Sequence, residues 1–357
     1  MANSLLFIDR RNQSIMKNLY KLALVFLFIG LFVSNADSQK VGSTSMQFLH
    51  VMPCARGTAL GDAYTVLASG ADAVFWNPSG LASLQKQELS STYIKWIFDA
   101  RQGSIAYATP LGDIGVVGLQ IQYVDFGEFE ETSLQRPYIK NPDFPGMTGR
   151  TFHPFSYLVG LTYAKSLTDK FSTGLTIKYA HESLFDGNTV LAMVRQGYYE
   201  EVKTWANAIL FDFGVGYNSG FKSVRLGASI QNFGPGLKYA KETSNAPLLF
   251  RFGIAGNIIG KEALFFLEDK NRLTVEFDLF QPNDYAQQAH LGCEYEFSES
   301  FALRAGYKFN YDYESFTFGG GIKQNIGPVQ LSIDYSYGSI GTYLGNVQRI
   351  SLGARLP

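Results

Sequence analysis

The chain has 357 residues and is nearly neutral, with 30 lysines and arginines against 31 aspartates and glutamates and a pI near 6.4. That balance excludes a basic footprint for nucleic acid, and two cysteines, Cys54 and Cys293, give no disulfide framework. With 36 Gly, 29 Phe, 21 Tyr and only 17% charged residues, the composition fits a barrel with aromatic girdles facing lipid better than a soluble domain.

Residues 1–38 read as a secretory signal peptide. Arg10, Arg11, Lys17 and Lys21 precede an apolar run over residues 22–33, shorter than the ~18 residues a spanning helix needs. Ala36-Asp37-Ser38 supplies small residues at the usual cleavage offsets, which places the mature start near Gln39. The signal implies export, so the work of the protein lies outside the cytoplasm.

Residues 39–87 resemble neither the signal nor the long remainder of the chain. The stretch 51–82 is dominated by small residues, is interrupted by Gly57, Gly61, Gly70 and Gly80, and carries Arg56, Asp62, Asp72 and Asn77 among apolar neighbours such as Trp76. Asn77-Pro78 predicts a helix start, because Asn caps and Pro lacks only an N–H that would be unsatisfied there anyway. A glycine-broken segment with isolated polar residues cannot span lipid and is too apolar for a free tail. It is expected to be a short helical plug inside a barrel, with Arg56 paired to one of Glu276, Asp278, Glu294, Glu296 or Asp334.

From Glu88 to the C-terminus, residues 88–357, apolar and polar residues alternate in runs of about ten, the length a tilted strand needs to cross a bilayer. Val329, Leu331, Ile333, Tyr335 and Tyr337, for example, alternate with Gln330, Ser332, Asp334 and Ser336. Period two sustained this long puts one face in an apolar medium and the other in a polar one. About fourteen runs are present, beginning near Glu88, Gln102, Asp113, Ser156, Phe171, Ala206, Val224, Leu248, Arg272, Ala289, Phe301, Ser315, Val329 and Gln348, and an even count suits a single-chain barrel. The predicted fold is therefore all-β, a transmembrane antiparallel β-barrel with an N-terminal plug. Tight turns alternate with longer loops at 127–154, 183–205, 234–247, 282–288 and 338–347, the asymmetry of short periplasmic turns and long outer loops. Residues 259–271 break this alternation, being long on the short-turn side.

The expected lumen face carries both signs of charge, among them Lys178, Asp212, Arg251, Glu276, Asp278, Glu294, Arg304, Lys308, Asp334 and Arg349. A mixed lining can pair with itself and with Arg56, Asp62 and Asp72, which favours a filled lumen. The four histidines, His50, His153, His181 and His290, lack metal spacing. No nucleophile elbow or phosphate loop is present, so neither an enzyme nor a cofactor is expected. The longest loops hold Phe129, Tyr138, Phe144, Phe152, Tyr198 and Tyr199, and aromatic loops of this length suit protein recognition.

A resemblance rests on the start of the mature chain. Gln47-Phe48-Leu49, Ala55-Arg56-Gly57, Leu60-Gly61-Asp62-Ala63-Tyr64 and Ala73-Val74-Phe75-Trp76-Asn77-Pro78-Ser79-Gly80-Leu81-Ala82 resemble the opening of the PorV/PorQ family, with Leu60 for the usual Met and Ser79 for the common Ala. The plug motif residues on this resemblance are Arg56, Gly61, Asp62, Trp76, Asn77, Pro78 and Gly80. The rest of the chain is similar in architecture to the broader FadL-like barrels. The resemblance implies an outer-membrane component of type IX protein secretion. Its partners would be outer-membrane lipid, secreted cargo with C-terminal sorting domains, and other components of the machinery. The alternative is a FadL-like transporter for hydrophobic small molecules.

Overall fold

In the computed structural model, which describes residues 42–132, 146–195, 198–239 and 242–357, each alternating run forms a strand. The first seven are β1 (Glu88–Lys95), β2 (Arg101–Pro110), β3 (Val116–Asp125), β4 (Phe155–Ser166), β5 (Phe171–Ser183), β6 (Trp205–Asn218) and β7 (Arg225–Phe233). The second seven are β8 (Leu249–Gly260), β9 (Asn271–Pro282), β10 (Gln288–Phe297), β11 (Phe301–Phe309), β12 (Phe316–Ile326), β13 (Val329–Ser339) and β14 (Asn346–Arg355). Each pairs antiparallel with the next, and β14 returns to β1, with Thr92 opposite Ser351. The sheet closes as a fourteen-stranded barrel. Closure leaves no strand edge unpaired, the condition for placing a sheet in lipid.

The alternation in sequence is the alternation in burial. Along β2, Arg101, Gly103 and Ile105 face outward, while Gln102, Ser104 and Ala106 are buried inside. Large apolar side chains cover the outer face, including Leu161, Ile209, Leu303, Ile333 and Leu352, each more than half exposed. Lys178, Asp212, Glu276, Asp278, Glu294 and Arg304 are buried in the lumen. An exterior this apolar around an interior this charged is stable only with lipid outside. Among the described residues no helix is long and apolar enough to cross a membrane.

Strand starts lie close to the sequence-based positions. The largest departure is β3, which begins at Val116 and not near Asp113, because Gly112–Ile114 forms a helical turn first. The long connections contain more structure than expected. Phe129–Thr132 pairs with Met147–Phe152, Thr189–Arg195 with Tyr198–Lys203, and Leu237–Tyr239 with Glu242–Ser244. These three hairpins stand at one end of the barrel, and the tight turns are at the other. At the short-turn end, Phe266–Leu267 pairs in parallel with Ile259–Gly260, so the irregular stretch extends a strand edge.

Register is continuous around most of the wall. At β7 an insertion shifts the pairing with β6 between Phe211 and Phe213, and Asn232 adopts a left-handed φ of 63°. This β-bulge bends the strand. Asp212 Oδ1 braces it, lying 2.7 Å from Lys178 Nζ and accepting from the Asn232 N–H at 2.8 Å.

Candidate functional site

Residues 44–87 run through the lumen, from the hairpin end to the short-turn end. Thr44 bridges to Asn245 beside the hairpin Leu237–Ser244, and the segment leaves at Glu88 where β1 begins. Between these ends it forms brief turns of helix at Gln47–His50, Ala55–Ala59, Ala73–Trp76 and Pro78–Ser83. Nothing here reaches the length at which helices hold themselves together. The segment is held instead by the barrel wall.

Backbone N–H groups left free by the turns are taken by lumen carboxylates. Asp278 Oδ2 accepts from the N–H groups of Tyr64 and Thr65 at 3.1 and 3.0 Å and from the Thr65 hydroxyl at 2.6 Å. Glu276 accepts from the N–H groups of Val66 and Leu67 at 2.6 and 3.0 Å. These two acids, neighbours on one face of β9, were candidate partners for Arg56 and are used otherwise. No sequence signal marks a carboxylate for a backbone donor.

Arg56 pairs with Glu294. Its Nε and Nη2 donate to the two carboxylate oxygens at 2.9 and 2.7 Å, a bidentate arrangement. Glu294 also accepts from Arg304 Nε at 2.7 Å, and Arg304 Nη1 donates to Asp334 at 2.6 Å. Asp62 meets Lys308 at 2.6 Å. Asp72 accepts from the Ser90 hydroxyl at 2.6 Å. Arg56 and Asp62 of the inner segment are thus charge-matched across the lumen, and Asp72 is met by a hydroxyl.

The other motif residues make close backbone approaches. Gly61 has φ 68°, and a Cβ on Gly306 of β11 would fall 2.0 Å from the Gly61 nitrogen, so backbone packs on backbone there. At Asn77-Pro78 the wall is glycine again: a Cβ on Gly214 would lie 2.1 Å from Asn77 Oδ1, and one on Gly174 would lie 2.5 Å from the Pro78 carbonyl carbon. Asn77 caps the following turn by accepting from the Ser79 N–H at 3.2 Å, and its amide donates to the Thr65 carbonyl at 2.9 Å. A Cβ on Gly80 would strike the Ala68 carbonyl oxygen. Trp76 is fully buried, donates from Nε1 to the Pro53 carbonyl at 3.0 Å and meets Tyr64 edge-to-face at 5.4 Å.

At the hairpin end the aromatic candidates divide. Phe129 stacks on Phe152 at 5.7 Å, and Phe152 reaches Phe185 at 4.5 Å, so three aromatic rings run from one connection to the next. Phe129 and Tyr198 are exposed. Tyr138 and Phe144, like the expected signal 1–38, lie outside the described residues, and Tyr199 is described in its backbone alone.

Asp284, just beyond β9, is a residue the sequence did not single out. It holds the start of the inner segment through the Thr44 hydroxyl, Gln47 Nε2 at 3.1 Å and His50 at 3.4 Å. Burial alone would raise its carboxyl, but the contacts from His50, Thr44 and Gln47 outweigh it and hold the group well below the usual carboxylate range. Among the described residues no group of His, Cys, Asp and Glu could hold a metal ion.

The fold is similar to solved outer-membrane transporters. The toluene transporter TbuX of Ralstonia pickettii superposes with a TM-score of 0.52 at 13% identity, over 84% of this chain and 97% of that one. The toluene transporter TodX of Pseudomonas putida does so with a TM-score of 0.53 at 14% identity, over 84% and 95%. Identities this low carry the barrel architecture alone. A search of curated proteins gives no match. The family profile described as type IX secretion system protein PorV matches residues 34–282, which take in the whole inner segment and the first nine strands. By that match the chain belongs to the PorV family and is an outer-membrane β-barrel of the type IX secretion system.

Proposed function

We propose that this barrel binds secreted cargo bearing C-terminal sorting domains, or hands it between components of the secretion machinery, by means of its outer hairpins. The observation that carries this is the set of three paired-strand hairpins at one end of the barrel, two of them bearing exposed aromatic rings. Phe129 and Phe152 stack beside Phe185, and Tyr198 projects from the next hairpin. Rigid aromatic side chains on pre-ordered hairpins contribute much contact area with little ordering entropy. On this reading 1–38 is the export signal, 39–87 is the plug and 88–357 is the barrel. Arg56, Gly61, Asp62, Trp76, Asn77, Pro78 and Gly80 keep the plug seated, and the hairpins lie on the cell surface. No chemical step is assigned to the protein.

A reading as a channel for hydrophobic small molecules has the toluene-transporter fold behind it. Against it stands the lumen, where the Arg56–Glu294–Arg304–Asp334 network replaces an apolar path. The test is photo-crosslinking in living cells from a photoreactive residue at Phe152, with one at Phe301, on the lipid face of β11, as the control. Adducts to proteins with C-terminal sorting domains from Phe152 alone are expected. Equal adducts from both positions, or none to such proteins, would refute the proposal.

A further inference from the structure

Above the inner segment, the hairpin end of the lumen opens into a cavity of about 640 Å³. That volume lies within the range of small-molecule sites, roughly 300–1,000 Å³. Its walls are largely apolar and aromatic, with Trp96, Phe280, Tyr311, Tyr313, Ile340 and Val347 among them. Its floor is polar. Met52, Thr58 and Asp62 of the inner segment close it from below.

Two arginines on this floor are not matched by the protein. Arg251 is 2% exposed, yet it has no carboxylate partner among the described residues, and its Nε makes no hydrogen bond. What holds it is a 3.4 Å contact from Nη1 to the Asp62 carbonyl and stacking over Phe280 at 4.1 Å and Trp76 at 5.2 Å. Arg349, on β14, lines the same cavity, and its Nε also lacks a partner. By contrast Arg304, the other arginine as deeply buried among the described residues, is paired to both Glu294 and Asp334. A buried guanidinium without a counter-ion is costly, and here Arg251 shares one cavity with the half-buried Arg349.

The surrounding charges define what would fit. Lys308 is consumed by Asp62 at 2.6 Å and by Glu314. Asp284 is engaged with Thr44, Gln47 and His50 near the mouth, and Asp312 accepts from the Tyr285 hydroxyl. Deeper in, Asp62 and Glu314 set two carboxylates against the three cations Lys308, Arg251 and Arg349, so among the described residues one positive charge is left over, and further carboxylates stand at the mouth. A single negative charge on an apolar body satisfies the arginines, and a multiply charged anion would be repelled on entry.

We propose that this cavity is a binding site for a small organic monocarboxylate with an apolar, preferably aromatic, body. The carboxylate is gripped by Arg251 and Arg349, and the body lies against Phe280 and the neighbouring rings. The inner segment forms the floor, so the ligand is held and not passed. This proposal is independent of how the hairpins engage protein partners.

The test uses the purified full-length protein in detergent, with 2-naphthoate as probe and neutral 2-naphthalenemethanol as its uncharged control, read by calorimetry. Saturable naphthoate binding at least tenfold tighter than the alcohol is expected. Arg251→Gln and Arg349→Gln should each weaken naphthoate binding by about tenfold or more and leave the alcohol unchanged, as loss of a charge-assisted hydrogen bond implies. Heat-modifiable migration on a gel reports whether each variant retains the folded barrel. Arg349→Gln carries the test should Arg251→Gln fail to fold, since Arg349 does not stack on Trp76 or Phe280. Equal affinity for acid and alcohol, undiminished naphthoate binding in a folded variant, or no saturable binding at millimolar naphthoate would each overturn the proposal.

Discussion

Replacing Glu294 with Gln should loosen the inner segment more than replacing Arg56 itself. Glu294 joins the segment to the wall, accepting both Arg56 donors and Arg304 Nε. In Glu294→Gln, Arg304 keeps Asp334, but Arg56 loses its counter-charge and its bidentate grip, and keeps one neutral amide acceptor besides contacts at 3.4–3.5 Å to Ser69 and Tyr64. Breaking a buried pair from one side costs roughly 3–5 kcal/mol. The Arg56 side chain is 19% exposed to the short-turn end, where water recovers part of the loss, so the lower value of about 3 kcal/mol applies. In Arg56→Met, by contrast, Glu294 retains Arg304, and the loss is that of charged hydrogen bonds, about 1.5 kcal/mol. Amide hydrogen exchange over residues 55–84 reads both. At 1.4 kcal/mol per decade, exchange should accelerate about a hundredfold in Glu294→Gln and about tenfold in Arg56→Met. The double variant should exchange more slowly than Glu294→Gln alone, because it removes the orphaned charge. A double variant at least as fast as Glu294→Gln would refute this account of how the segment is seated.

Three further outcomes are expected. Ile333→Arg, placed midway along β13 on the lipid face, should impair assembly by roughly 2–4 kcal/mol, whereas Ser332→Arg, facing the lumen, should be milder; equal folded yields on heat-modifiability gels would contradict the assignment of faces. Asn77→Ala should cost about 1 kcal/mol, the usual value of a lost cap, and give a smaller rise in exchange over 78–84 than Arg56→Met gives over 55–59. Because the folded-state Asp284 carboxyl is held below its unfolded value near 3.9, its contribution is present above that pH and is lost as pH falls below it. Exchange at residues 44–50 should therefore quicken below about pH 4 in the intact protein, and Asp284→Asn should remove that dependence.

Much of the wall was legible in the sequence. Runs such as Val329–Ser339 alternate with period two because their faces meet different media, so strand number, strand starts and the lumen charges could all be read. The hairpins in the long connections were not legible. Glu130, Glu131 and Thr132 are polar on both faces and leave no alternation to detect. The partner of Arg56 could be narrowed to five acids but not chosen, since register across non-adjacent strands decides it. In sequence Glu276 and Asp278 look like ion-pair partners because backbone donors are invisible there; only the fold shows that the turn at 64–67 presents its N–H groups to them. The aromatic wall of the outer cavity was hidden for a similar reason, being assembled from strand ends and connections distant in sequence.

On the proposed function, residues 51–82 close the lumen and the barrel works by binding, not by passage. Ion conductance in planar bilayers tests this most directly, comparing the purified intact protein with a variant lacking 51–82. The intact barrel should show no stable conductance, and the deletion variant, once its heat-modifiable migration shows an assembled barrel, should open a steady conducting pore. An assembled deletion variant that conducts no more than the intact protein, or an intact protein that already conducts, would contradict the account.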